Sequence, residues 1–445
     1  MAPLFILPAL LVKDDRMIDP HTNSVIEHNL TTPSNSALSA LALFHLPGVG
    51  ATRYHKLIEW FGSVEAAVIG DRKLIMAAGV KAESVRLLDE YVLKAFDSDI
   101  GRLIKRDLEW AENPGNDLLL IDDQDYPPLL KHIDSPPPVL YIKGDRALVS
   151  EPQIAIVGSR SPSIDGKENA YRFAKSIVNV GLVVTSGMAL GVDGAAHKGA
   201  IDGNGHTVAV VGTGVDVIYP ARHRALSAGI LERGVIVSEL PLGTQPHPSN
   251  FPRRNRIISA LSLGVLVVEA SPKSGSLITA HCALDQGREV YAIPGSIHNP
   301  MARGCHQLLR QGAKLVESAE DIFEELSSLL AFHQLMRNES TNTKPFSEFS
   351  VEDSQVNMTA DLFEPERGSS FESGLASNDL HTDLTETETR LLSLLGYDVV
   401  SVDLAVERSE LPVEEISILL MSLELKGFVQ SVPGGFQKVR DCITA

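Results

Sequence analysis

Residues 154–200 read IAIVGSRSPSIDGKENAYRFAKSIVNVGLVVTSGMALGVDGAAHKGA, and the pattern in this stretch decides the fold. Two short apolar runs, 154–158 and 182–186, flank a longer segment of helical character. Runs of four to six apolar residues without a polar alternate face suit strands covered on both sides. The same alternation continues with runs at 207–212, 235–239, 264–269 and 289–293. Strands separated by helices at that distance predict right-handed βαβ units and a doubly covered parallel sheet. Ligands of such sheets bind beyond the carboxyl ends of the strands, so the loops that follow each run carry the functional information.

Working outward, residues 118–130 and 136–144 supply two extended runs around a proline-rich turn, expected as an antiparallel or edge addition to the sheet. Before them, residues 36–112 have helical spacing broken at Gly and Pro. Their opening Leu46-Pro47-Gly48-Val49-Gly50 is a hairpin between two short helices, either a plain connection or a source of backbone N–H groups for a phosphate. After the sheet, residues 327–388 hold three basic side chains against twelve acidic ones, among many Ser, Thr and Asn. Too little apolar surface is present there to offset the ordering entropy, and a disordered linker is expected. Helical periodicity returns from Thr389, with two helices around a Ser-Glu-Leu-Pro turn and a hairpin through Pro433-Gly434-Gly435, the order of a winged helix. The second of these helices is acidic and nearly free of Arg and Lys, which suits protein contact at least as well as groove reading.

The expected divisions are a flexible leader at 1–35, a helical domain of the helix-hairpin-helix or SAM kind at 36–115, a Rossmann-like domain at 116–326, the acidic linker at 327–388 and the winged helix at 389–445. The leader has an apolar run but no preceding positive region, and is too short to span a bilayer. An open reading frame that truly starts at Met17 would account for it equally well. Three widely spaced cysteines, Cys282, Cys305 and Cys442, form no disulfide framework or zinc pattern and fit a reducing cytoplasm. The formal net charge of −18 opposes nucleic acid only globally, because the 327–388 segment contributes half of it.

The strand-end loops lean toward phosphate. The first gives Gly158-Ser159-Arg160 with no GxGxxG, which removes the dinucleotide fingerprint. The second gives Ser186-Gly187, then Gly191 and Asp193, where small residues admit a ligand and Asp193 is expected to cap the following helix. His197 reads as a core histidine. The fourth leads into FPRRNRIISALS, residues 251–262, which places Arg253, Arg254 and Arg256 at a helix entry whose N–H groups and dipole favour an anion. Alone, such a run is a solvated helix face. The fifth gives Lys273-Ser274-Gly275-Ser276 at another helix start, a phosphate cradle without Walker spacing.

GSR at 158–160, SGMALGVDGAAH at 186–197, FPRRNRIISALS at 251–262, KSGSLITA at 273–280 and the PGS and GCHQLL segments after Pro294 together resemble the DNA-processing protein A family (DprA, also called Smf). The resemblance covers about 36–326 and, more loosely, the winged helix. It implies an extended Rossmann-like domain that binds single-stranded DNA and a role in loading RecA recombinase during natural transformation. Carried over residue by residue, it puts Arg160, residues 251–256 (Phe251, Arg253, Arg254, Asn255 and Arg256 among them) and Lys273, Ser274, Gly275 and Ser276 around the DNA groove; the strand-end loops add Gly158, Ser159, Ser186, Gly187 and Gly191 to the expected DNA-binding residues. His306 departs from the Asn usual after Gly-Cys, and residues 246–250 lack a Lys that some members have.

On this reading Arg160, Arg254, Arg256 and Lys273 supply charge, Gly158, Gly187 and Gly275 allow close approach, and Phe251 stacks on a base. No catalytic residue, cofactor or metal is expected. The expected partners are single-stranded DNA, RecA and a second copy of the chain, with no membrane. Two rivals remain at this stage: a nucleoside monophosphate hydrolase using Glu239 or Glu269, and a pure interaction scaffold.

Overall fold

The computed structural model describes residues 35–326, 384–395, 399–432 and 434–439. The expected leader and most of the acidic linker lie outside them.

Six helices open the described chain: α1 (Asn35–His45), α2 (Ala51–Phe61), α3 (Val64–Ile69), α4 (Arg72–Ala77), α5 (Ala82–Lys94) and α6 (Asp99–Ala111). Side-chain caps start several of them, with Ser63, Asp71 and Ser98 each accepting from an N–H of the first turn. The Leu46–Gly50 segment is a tight connection between α1 and α2, and Gly48 takes the positive φ that an L side chain resists.

The sheet elements follow as β1 (Asn116–Leu120), α7 (Pro128–Lys131), β2 (Val139–Gly144), β3 (Gln153–Val157), α8 (Ile164–Asn179), β4 (Val183–Ser186), α9 (Val192–Asp202), β5 (Thr207–Val210), α10 (Arg224–Arg233), β6 (Gly234–Ser238), α11 (Asn250–Leu261), β7 (Gly264–Val267), α12 (Gly275–Asp285), β8 (Glu289–Ala292), α13 (Arg303–Arg310) and β9 (Lys314–Leu315). Residues 319–326 are helical and form α14. The strand order is β1-β2-β6-β5-β4-β3-β7-β8-β9. β3 to β9 pair in parallel, whereas β1 and β2 are antiparallel, with Tyr141 of β2 opposite Ser238 of β6. Chain order runs one way from β3 through β4 and the other way through β7, so the switch point lies at the carboxyl end of β3. Most of the predicted runs overshoot by one to three residues, because the chain leaves the ladder to make loops there.

Alternate strand residues feed two faces. Ala155, Val157, Val265 and Val267 pack with Ile257, Ile258 and Leu277 of α11 and α12. Ile154, Ile156, Val184 and Leu266 pack with Ala170, Phe173 and Ala196 of α8 and α9. The first six helices are not a free-standing layer. Leu41, Tyr54 and Ile104 belong to one core with Tyr141, Ala209 and Ile236 of the sheet. A buried polar cluster reinforces that seam: Asp107 of α6 lies 2.6 Å from His45 Nε2 and accepts a hydrogen bond from the Tyr141 hydroxyl.

The C-terminal unit contains α15 (Glu386–Leu394), α16 (Val402–Ser409), α17 (Val413–Leu425), β10 (Val429–Val432) and β11 (Gly435–Lys438), around a core of its own that includes Leu391, Leu420 and Phe428. Its first helix begins inside the segment expected as linker, because Thr385 and Glu388 form a reciprocal capping box that fixes the helix start.

Candidate functional site

The carboxyl ends of β3, β4, β5 and β7 open onto a crevice of about 710 Å³. Its floor includes Val157, Gly158 and Ser159, and its walls include Phe251 and Asn255 of α11 and Ser274 to Ser276 at the start of α12. Ser274 caps α12, its Oγ 2.7 Å from that of Ser276, and Asn255 Nδ2 donates to the Gly275 carbonyl at 3.1 Å. Gly275 has nothing within 4 Å of where a Cβ would lie, so the approach to this helix start is open. The crevice therefore brings together Gly158, Ser159, Arg160, Phe251, Arg254, Asn255 and the Ser274–Ser276 turn. Lys273 is exposed beside that turn.

The four arginines of the sequence reading occupy different environments. Arg160 is exposed, with its guanidinium carbon 5.4 Å from the centre of the Phe251 ring. Arg254 is 5% exposed and donates through one nitrogen to the carbonyls of Gly187 (2.6 Å) and Val210 (2.5 Å). Burial pulls its guanidinium down to about 10, against the opposing attraction of Asp193, and Arg160 pulls the same way as burial. It stays charged at neutral pH and lies buried at the base of the crevice, held there by these two carbonyls. Arg256 points away, donating to Glu239 at 2.5 Å, and does not line the crevice. Arg253 lies 3.9 Å from the same carboxylate with its side chain 54% exposed.

Several small and acidic residues also differ from their expected parts. A Cβ at Gly187 would overlap the Arg254 guanidinium, so this glycine makes room for that arginine. Gly158 is closed by Val192 and the Glu269 carbonyl. Gly191, at φ 83°, passes tightly over the backbone of Ser159 and Arg160. Ser186 is fully buried and donates to the Ile156 carbonyl at 2.6 Å, because it is still in the strand. Asp193 does not cap α9. Its Oδ2 accepts from the Gly187 and Ala189 amides at 3.1 and 3.3 Å, and burial raises its pKa against the nearby Arg254. His197 is a core residue bonded to Thr207, and burial lowers it to about 3, so it is neutral.

Sequence reasoning missed Tyr219. It lines the crevice from the loop after β5, with its ring 5.7 Å from that of Phe251 and tilted by 38°. The available signal was an aromatic in a loop at a strand's carboxyl end. Arg160, Phe251 and Tyr219 thus form one cation–aromatic–aromatic array, and Tyr219 is 43% exposed.

The two carboxylates considered for hydrolysis are committed to the scaffold. Glu239 holds Arg256, and Glu269 accepts from Ser163 N (2.8 Å), Ser163 Oγ (2.6 Å) and Asn299 Nδ2 (3.3 Å), which fixes the start of α8. His306 reaches back to the Gly295 carbonyl at 2.9 Å. Among the described residues no group of three or more His, Cys, Asp and Glu is placed to hold a metal, and no helix is long and apolar enough to cross a membrane.

Residues 117–327 match the family described as DNA recombination-mediator protein A, and residues 376–435 match the DprA winged helix domain. The chain is 40% identical over 338 residues to Protein Smf of Escherichia coli (strain K12), covering 76% of this chain and 81% of that one. It is 46% identical over 213 residues to DNA processing protein DprA of Bacillus subtilis (strain 168), covering 48% and 72%. The X-ray structure of DNA processing protein A from Streptococcus pneumoniae matches with a TM-score of 0.56 at 35% identity, over 66% of this chain and 98% of that one. Fold and crevice together define a Rossmann-like α/β protein with its ligand crevice at the switch point of the sheet. The chain belongs to the DNA-processing protein A family, whose members are also named Smf.

Proposed function

We propose that the chain binds single-stranded DNA in this crevice without catalysing a reaction on it, and presents the strand to RecA recombinase as part of DNA uptake. The array of Arg160, Phe251 and Tyr219 carries the reading. Ring faces accept bases only when the bases are unstacked and unpaired, which favours a single strand over a duplex. The amides at the start of α12 and the exposed Arg160 and Lys273 supply the matching phosphate contacts. Both candidate hydrolytic carboxylates are engaged in ion pairs or hydrogen bonds that position helices, which supports binding over turnover. Presentation to a recombinase rests on the family description of recombination mediation.

The test is fluorescence anisotropy with a single-stranded oligonucleotide and its duplex. The single strand should bind more tightly, and Arg160→Ala should lower the steepness of the salt dependence by about 0.7. Equal affinity for both forms, or an unchanged slope in that variant, would place the binding surface elsewhere. RecA filament assembly on strands coated by a single-strand-binding protein then tests the handover, which fails if the chain does not accelerate it.

A further inference from the structure

The winged-helix unit has the topology of a DNA reader but not its surface. Residues 384–439 carry nine acidic and four basic side chains. α17, the helix that would enter a groove, has Glu414, Glu415 and Glu424 and no Arg or Lys. Lys426 sits 2.7 Å from both oxygens of Glu388, and Arg408 donates to Asp165 of α8 at 2.7 Å, so both are committed within the protein. A helix of that charge repels a phosphate backbone, whose neutralisation supplies most of the affinity of such readers.

The outward face of the same helix is apolar. Ile416, Leu420 and Leu423 are fully buried in the unit's core, whereas Ile418, Met421 and Leu425 are 70, 64 and 85% exposed. Their spacing of three and four places them in one stripe, with Glu414 at its head and Glu415 and Glu424 on its two flanks. An apolar stripe of this kind is costly to leave in water and marks a contact surface. An acidic border around an apolar centre is complementary to a basic amphipathic helix laid into it. A second copy of this surface would bring the same three glutamates against each other.

We propose that the exposed face of α17 docks a basic amphipathic helix of a partner protein, and that this unit recognises protein and not DNA. The site is separate from the crevice and stands whether or not the crevice binds DNA.

The full-length chain is titrated into a fluorescein-labelled helical peptide of leucines at three- and four-residue spacing with lysines between, and into its leucine–glutamate counterpart. The lysine peptide binds and the glutamate peptide does not. The double variant Ile418→Ser, Met421→Ser, which alters only exposed side chains, weakens the lysine peptide by about tenfold or more. The triple variant Glu414→Lys, Glu415→Lys, Glu424→Lys reverses the preference, and circular dichroism confirms that both variants are folded. Unchanged lysine-peptide binding in the double variant overturns the proposal, as does binding of a labelled duplex by the full-length chain that the same double variant abolishes. A concentration-dependent dimer that the double variant abolishes also overturns it, in favour of a second copy as the occupant.

Discussion

Arg160 and Arg254 look alike in the sequence and occupy opposite environments in the structure, one exposed and one buried. Arg254 satisfies the Gly187 and Val210 carbonyls and balances a buried Asp193. Arg254→Ala should therefore destabilise the fold by about 1–3 kcal/mol, as leaving buried carbonyls without their donor does. Adding Asp193→Asn should restore part of the loss, and thermal melts of the single and double variants check this. Arg160→Ala should leave the melting temperature unchanged, since its side chain is exposed. Tyr219→Ala and Phe251→Ala should each weaken single-strand affinity by about 1–3 kcal/mol with the salt slope preserved, because stacking releases no counterions. A slope that falls in these two variants would mean that the rings act by holding Arg160 in place.

At the scale of elements, the strands were legible because a run covered on both faces has to be apolar throughout, and residues 154–157 and 264–267 are. The antiparallel addition was legible from its prolines. The arginine run was not, because helical spacing alone does not reveal which of three near neighbours faces a strand end, a carboxylate or solvent. Tyr219 escaped because the fold, and not the sequence, brings a loop after β5 against α11. The start of α15 was misplaced because Glu388 was counted as linker charge when it is a cap and an ion-pair partner. Burial pushes the Glu388 carboxyl up, but hydrogen bonds from Lys426, Ser422 and Thr385 outweigh it and hold the pKa down to about 2. A carboxylate with a depressed folded-state pKa contributes stability above its unfolded value of about 4.3 and loses it as the pH falls through the folded value. The winged-helix unit should thus weaken progressively from about pH 5 down to pH 2, and Glu388→Gln should flatten that profile. Circular dichroism melts across the range measure it, and an unaltered profile in Glu388→Gln would assign the acid sensitivity to another group.

At the scale of the whole molecule, the first six helices and the sheet share one core, whereas the winged-helix unit has its own. Calorimetry should show one cooperative transition for the first two together and a second for the unit. A chain ending at Leu326 should keep the affinity of the full chain for single strands, whereas one starting at Asn116 should aggregate with Tyr141 and Ile236 uncovered. Separate transitions for 35–115 and 116–326 would contradict the shared core. The Arg254 side chain has a further consequence for time courses. One guanidinium ties α11 to the loop after β4 and to the end of β5, which braces the walls of the crevice against one another. Stopped-flow association should accordingly be a single exponential whose rate rises in proportion to protein concentration, with no plateau to betray a slow opening step.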